Sequence, residues 1–326
     1  MALVVLKFGG TSLANIKLMN NAVAKVITEV ALGNKVIAVV SAMAGVTDHL
    51  VSLVHEISNC DNDNQLAEYA NVITTGEQVS AGLFALFLQQ AGLKARSWLG
   101  WQAGIITDNN IIDSNIIELQ CEQMSKALTQ NYQVAVVTGF QGITKDNRVS
   151  TLGRGGSDTS AIILAGALKA LRCDIYTDVE GVFTADPRIV SKAQKLDNLT
   201  YDEMIVFAHA GAKVLQAKSV EWAKYYQVDL QVLSSFTAHK GTFINDNNQA
   251  MAIAGIALSK KDNDAKITII GNQVDDIQAL KDILQNNAID VLTMHKNVMG
   301  VDFIVKDKDK FDAMRYLHTA CNLDGK

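Results

Sequence analysis

The sequence predicts an α/β fold: a three-layer α/β/α sandwich on a mainly parallel sheet, followed by a small ferredoxin-like unit. Three observations predict it. Short continuous apolar runs mark strands covered on both faces, helical spacings lie between them, and the alternation stops near residue 245, where a more polar tail begins.

The first run, LVVLKF (3 to 8), ends in the pair Gly9 and Gly10. After it, Ile16, Met19, Val23, Val26, Ile27 and Val30 share one helix face, and Gly33 closes that helix. Further strands are read at KVIAVVSA (35 to 42), QVAVVTGF (133 to 140), CDIYTD (173 to 178) and DLQVLSS (229 to 235). Thr200 and Glu203 have the spacing of a capping box ahead of an apolar helical run. The polar stretches NDNNQ and SKKDND mark a boundary, giving a large domain over residues 1–245 and a small one over 263–326. The small one reads as β-α-β-β-α, a ferredoxin-like pattern whose last strand is missing.

Composition narrows the partners. A chain of 326 residues with 48% hydrophobic content can bury a large core. A net charge of −5 without a long run of like charges points to neither nucleic acid nor an anionic membrane surface. No apolar run has the length of a membrane span, so a cytoplasmic protein with a small-molecule ligand is expected. Cys60, Cys121, Cys173 and Cys321 lack metal-site spacing and read as reduced packing residues. The six histidines form no ligand pair either, so a metal is expected only with a bound ligand. The single proline, Pro187, suggests a functional turn in TADPR.

Two glycine-rich turns carry the chemistry. LKFGGTS leads from the first strand into a helix start, where Gly9 and Gly10 let backbone approach an anion. Lys7, at the strand end, is either a phosphate-neutralising ammonium or a solvated lysine beside a tight turn. GRGGSDTSA repeats the device with Gly155 and Gly156 ahead of Ser157 and Asp158. Neither is a P-loop, and the second lacks the third glycine of a dinucleotide fingerprint. Arg154 suits a bidentate grip on a carboxylate, whereas Asp158 fits either a site or an ordinary first-turn acid. Glu77 follows a Thr-Thr-Gly break in an apolar helical stretch, an odd place for a purely solvated carboxylate.

KFGGTS, SAMAGVTD, TTGEQ, GRGGSDTSA, IYTDVEGVFTADPR and GAKVL, in this order, together resemble the aspartate kinases of the amino acid kinase family over residues 1–245. The tail resembles a shortened ACT regulatory region. The resemblance implies transfer of the γ-phosphoryl of ATP, with its Mg²⁺, to the side-chain carboxylate of L-aspartate, giving 4-phospho-L-aspartate for lysine, threonine and methionine synthesis. It implies that Lys7 and Lys213 flank the transferring group, with Asp158 orienting both and Gly9 and Gly10 donating to phosphates. Arg154 would hold the substrate α-carboxylate and Glu77 its ammonium, with Ser41, Thr47, Gly155, Gly156 and Ser157 completing the pocket. Nucleotide contacts would come from Thr177, Asp178, Phe183, Asp186, Arg188, Lys213 and Val214. No metal-binding residues and a homodimer are implied. Phe183 stands where the family usually has tyrosine, and GNQVDDIQ replaces the family's effector-facing turn; from the latter, weak or absent feedback by lysine or threonine is expected. The rival readings are another amino acid kinase, acting on N-acetylglutamate, glutamate or a nucleoside monophosphate, and a non-catalytic regulatory paralogue.

Overall fold

A computed structural model describes residues 2–325. Its chain forms two compact units, one of residues up to Val179 together with Tyr225–His239, the other of Glu180–Lys224 together with residues from Lys240 onward.

The first unit is built on parallel strands in the order Leu230–Ser234, Arg172–Thr177, Leu3–Phe8, Lys35–Val40, Val134–Thr138 and Ala95–Trp98. The first five coincide with the apolar runs read from sequence; Ala95–Trp98 is an additional edge strand. Strand residues Val4, Leu6, Phe8, Val36, Ala38, Val40, Val134 and Val136 are buried against one face of helix Ile16–Ala31 and against Phe84 and Leu88 of helix Thr75–Gln90. Each such Val, Leu or Phe side chain contributes about 1.5–3 kcal/mol when fully buried. Asn15 caps the first helix by accepting from the Leu18 N–H at 3.0 Å, and Gly33, at φ +88°, follows its end as expected.

Helix Gly156–Ala167 packs against strands Leu3–Phe8 and Arg172–Thr177. Its residues 156–165 are all buried, so it is enclosed around its whole circumference: its first turns bury Ser157, Asp158, Thr159 and Ser160, and the rest is apolar. A second, smaller sheet runs in the order Ile116–Leu119, Ile105–Thr107, Gln141–Thr144 and Val149–Thr151. Its last two strands carry the chain from the end of strand Val134–Thr138 to the glycine turn at 153–156.

The second unit contains the parallel pair Asn198–Leu199 and Thr242–Ile244, and helix Tyr201–His209. The capping box is formed: Glu203 N–H donates to Thr200 Oγ1 at 3.2 Å, and Thr200 N–H to Glu203 Oε2 at 2.8 Å. An antiparallel sheet follows, ordered Gly255–Lys261, Asp264–Ile270, Gly300–Lys306 and Val291–Asn297. Leu280 and Leu284 of helix Ile277–Asn286, and Ala313, Met314 and Leu317 of helix Lys310–Ala320, share its core with Ile267, Ile269, Phe303 and Val305.

This sheet corrects the sequence reading in one respect. The pattern β-α-β-β-α was expected to leave an open edge, and the strand Gly255–Lys261, ahead of the expected start at 263, pairs there through a tight turn with Asp262 at φ +53°. Its last two residues, Lys260 and Lys261, are exposed, so SKK reads as linker although it is strand. Ala185 and Val190 also join this core.

Candidate active site

The site forms in the first unit beyond the carboxyl ends of the parallel strands, where such sheets place ligands. Lys7 is the penultimate residue of strand Leu3–Phe8. Leu6 and Phe8 enter the core on one face, and the alternation sends Lys7 to the other. Its Nζ lies 2.6 Å from Asp158 Oδ1, and both side chains are 11% exposed. Asp158 occupies the first turn of helix Gly156–Ala167, where the helix dipole favours a carboxylate.

The glycines are required by contact and by conformation. A Cβ at Gly10 would lie 2.9 Å from the Ala42 carbonyl oxygen, so only glycine lets this turn close on the loop after strand Lys35–Val40. Gly155, the helix N-cap, has φ +76°, and Gly153 has φ +72° with its would-be Cβ 2.2 Å from Asp113 Oδ1.

Thr74 ends helix Asp63–Ile73 and begins helix Thr75–Gln90, the break that TTGEQ suggested. Gly76 brings the second helix against Ala42, to which a Cβ would approach within 2.8 Å. Glu77 is thereby buried at 4% exposure. Its Oε1 accepts the Ala42 N–H at 3.0 Å, while Oε2 is buried with no hydrogen-bond partner among the described residues. Burial pushes its carboxyl up to about 7, against the opposing effect of the Ala42 N–H.

Ser41, Thr47, Glu77, Arg154, Gly155, Gly156 and Ser157, all expected around the substrate, line one cavity of about 240 Å³ with Lys7 and Asp158. Phe140 and Gly153 complete it, and neither was singled out from sequence. Phe140 adopts φ +70°, unusual for a bulky residue. Its N–H donates to Ser160 Oγ at 3.2 Å and its carbonyl accepts the Leu152 N–H at 2.8 Å, which fixes the conformation from both sides. The ring packs on Gly156, where a Cβ would meet Cδ2 at 3.0 Å.

The residues expected around the nucleotide are divided between the units. Gly9 N–H donates to the Tyr176 carbonyl at 3.2 Å, and Thr177 ends strand Arg172–Thr177 beside Asp178. In the second unit Phe183 bridges to Lys195. Pro187 follows Asp186 in a turn closed by Ile189 N–H and Val190 N–H on the Asp186 carbonyl, both at 2.9 Å. Asp186 also accepts the Arg188 N–H at 2.9 Å and pairs with its guanidinium at 2.6 Å, contacts that lower its carboxyl below the usual range. Lys213 is exposed and Val214 half-buried in the loop before helix Ala217–Tyr226. No group of three or more His, Cys, Asp or Glu side chains among the described residues could cage a metal.

The cavity combines a guanidinium at its mouth, an ammonium fixed by a carboxylate, and a buried carboxylate with one spare oxygen. That set of charges suits a small molecule carrying both an ammonium and carboxylates.

The profile of the amino acid kinase family matches residues 2–234. An aspartokinase of Rickettsia conorii is 44% identical over 314 residues, covering 95% of this chain and 78% of that protein. Aspartokinase 2 of Bacillus subtilis is 41% identical over 319 residues, covering 95% and 76%. The fold is that of E. coli aspartokinase III in complex with aspartate and ADP, with a TM-score of 0.84 at 21% identity, covering 97% of this chain and 99% of that one. The chain belongs to the amino acid kinase family, among its aspartokinases.

Proposed function

We propose that the chain transfers the γ-phosphoryl of ATP to the side-chain carboxylate of L-aspartate, forming 4-phospho-L-aspartate, an entry to lysine, threonine and methionine synthesis. The observation that carries this is the cavity in which Lys7, Arg154 and the half-satisfied Glu77 converge. A substrate α-ammonium would pair with Glu77 Oε2, and the Arg154 fork would take the α-carboxylate. The side-chain carboxylate is then left facing Lys7.

A carboxylate with a pKa near 4 is already ionised at pH 7, so the acceptor needs no general base. The barrier is the approach of an anion to a polyphosphate, and catalysis is positioning and charge neutralisation. Lys7, held at 2.6 Å by Asp158, supplies one ammonium whose place is fixed before substrate arrives. Lys213 supplies a second, Gly10 offers a backbone donor to the phosphates while the Gly9 N–H, expected to do the same, is held by the Tyr176 carbonyl, and Ser41, Thr47 and the 155–157 turn close the substrate pocket. The nucleotide is assigned to Thr177, Asp178, Phe183, Asp186, Arg188 and Val214. Mg²⁺ accompanies ATP, held chiefly by phosphate oxygens and water, as this ion prefers.

Residues 1–245 are read as the catalytic region and 263–326, with the strand ahead of them, as a shortened ACT-like unit that gives weak feedback control. No described helix is long and apolar enough to cross a membrane; a cytoplasmic homodimer is the assembly we propose. The test is ADP release from MgATP with L-aspartate, L-glutamate, N-acetyl-L-glutamate and UMP as parallel acceptors. Turnover with aspartate alone supports the reading, and preference for any other acceptor refutes it. An N-acetylated acceptor has no ammonium for Glu77, and its exclusion follows from that.

A further inference from the structure

The second unit buries a histidine that phosphoryl transfer does not use. His318, on helix Lys310–Ala320, is 0% exposed. A buried imidazole needs partners on both nitrogens, and His318 has them: Nε2 stands 2.9 Å from Thr184 Oγ1 and Nδ1 2.8 Å from Asp324 Oδ1. An ionised carboxylate only accepts, which places a ring proton on Nδ1; in the neutral ring Nε2 then accepts the Thr184 hydroxyl proton. Thr184 Oγ1 in turn accepts the Gln194 N–H at 2.9 Å. The chain of donors and acceptors is complete in one direction.

Asp324 reaches the ring because the helix ends in a Schellman turn. Leu323 N–H donates to the His318 carbonyl at 3.2 Å and Asn322 N–H to the Thr319 carbonyl at 3.0 Å, with Asn322 at φ +54°. The returning Asp324 also accepts from Thr319 Oγ1 at 3.0 Å and pairs with Lys192 at 3.1 Å. Arg315 Nε, one turn earlier, donates to the Ile189 carbonyl at 3.1 Å. Ala185 and Val190 share the apolar core of Met314 and Leu317. Thus the last helix and its turn hold the segment 184–192 at three polar points and through packing, and Thr184 is the point between Phe183 and the Asp186–Pro187–Arg188 turn.

We propose that His318 is a positioning residue for the nucleotide loop 183–188, acting through Thr184, so that ATP affinity depends on the last helix and the turn that follows it. This rests on the reading that the loop takes the nucleotide. The order hydroxyl, imidazole, carboxylate is also that of a hydrolase triad, but Thr184 is 5% exposed and its oxygen is already engaged by Gln194. The geometry fits a clamp and not a nucleophile.

The test is steady-state kinetics on the full chain carrying His318→Ala, Thr184→Val or Asp324→Ala. Loss of the Thr184–His318 hydrogen bond, or of the Asp324 carboxylate that orients the ring, is expected to raise KM for MgATP about five- to tenfold, with KM for aspartate unchanged. His318→Gln, whose amide reaches towards Thr184, should restore most of the affinity, and the Thr184→Val, His318→Ala double variant should be no worse than the weaker single. Asp324→Ala, at a 20% exposed carboxylate, keeps the test open if His318→Ala does not fold. A parallel rise in both KM values, or a lowered melting temperature with KM for MgATP unchanged, overturns the proposal. Asp186→Asn separates the two readings. If it raises KM for MgATP while the His318 and Thr184 variants do not, positioning by His318 fails alone. If it too has no effect in an enzyme that phosphorylates aspartate, the nucleotide reading fails and the proposal with it.

Discussion

Lys7 Nζ and Asp158 Oδ1 lie 2.6 Å apart at the floor of the cavity, an ion pair contributed by the end of a strand and the start of a helix. Removing one partner leaves the other largely buried without its counter-charge, a change that typically costs about 3–5 kcal/mol. Asp158→Ala should therefore lower the melting temperature as well as activity. Asp158→Asn keeps the shape and loses the charge, and it should lower kcat at least about 100-fold with a smaller change in stability. Chemical denaturation beside single-turnover kinetics checks both halves.

Glu77 links substrate affinity to pH. Its carboxyl is pushed up to about 7 by burial, from the 4.5 of an exposed glutamate. The folded protein thus binds more protons than the unfolded chain between those values, and stability falls as pH rises from about 4.5 to 7. Glu77→Gln removes this dependence and should stabilise the free protein at pH 8 by up to about 3 kcal/mol. The same substitution removes the partner we propose for the substrate ammonium. In the unsubstituted protein KM for aspartate should rise as pH falls below about 7, because only the ionised carboxylate pairs with that ammonium; the variant should lose this dependence.

Phe140 holds a left-handed backbone in the cavity wall. Such a conformation costs about 1–3 kcal/mol in a non-glycine residue. Phe140→Gly should accordingly be more stable than Phe140→Ala by about 1 kcal/mol, although both lose the same ring contacts. Both should widen the pocket, raising KM for aspartate and narrowing its advantage over glutamate. Thermal melts and competition between the two acids measure these effects.

Gly153 makes a simpler case. Alanine there would adopt φ +72° and place its Cβ 2.2 Å from Asp113, so Gly153→Ala should destabilise by more than about 1 kcal/mol and misplace Arg154. Restoring space with Asp113→Gly should recover part of the loss.

Much of this was legible before the structure, for identifiable reasons. Strands buried on both faces need no alternation, so LVVLKF, KVIAVVSA and QVAVVTGF stand out as apolar runs. Ala95–Trp98 does not, because at the sheet edge its Arg96 is partly exposed and stacks over Trp98 at 3.9 Å. Glu77 was visible because Thr-Thr-Gly interrupts a helix beside it. Phe140 was not, since its φ depends on Ser160 and Leu152, neither adjacent in sequence. The same holds for Thr184, whose partner His318 is 134 residues away. Contacts across such separations leave no local pattern, whereas a strand end or a glycine turn does.

The most direct measurement of the central claim traps the acyl phosphate with hydroxylamine and identifies the hydroxamate by mass spectrometry. The expected product is the β-hydroxamate of L-aspartate, formed only with MgATP and lost in Asp158→Asn. A hydroxamate on the α-carboxyl, or equal product from glutamate or N-acetylglutamate, would contradict the claim.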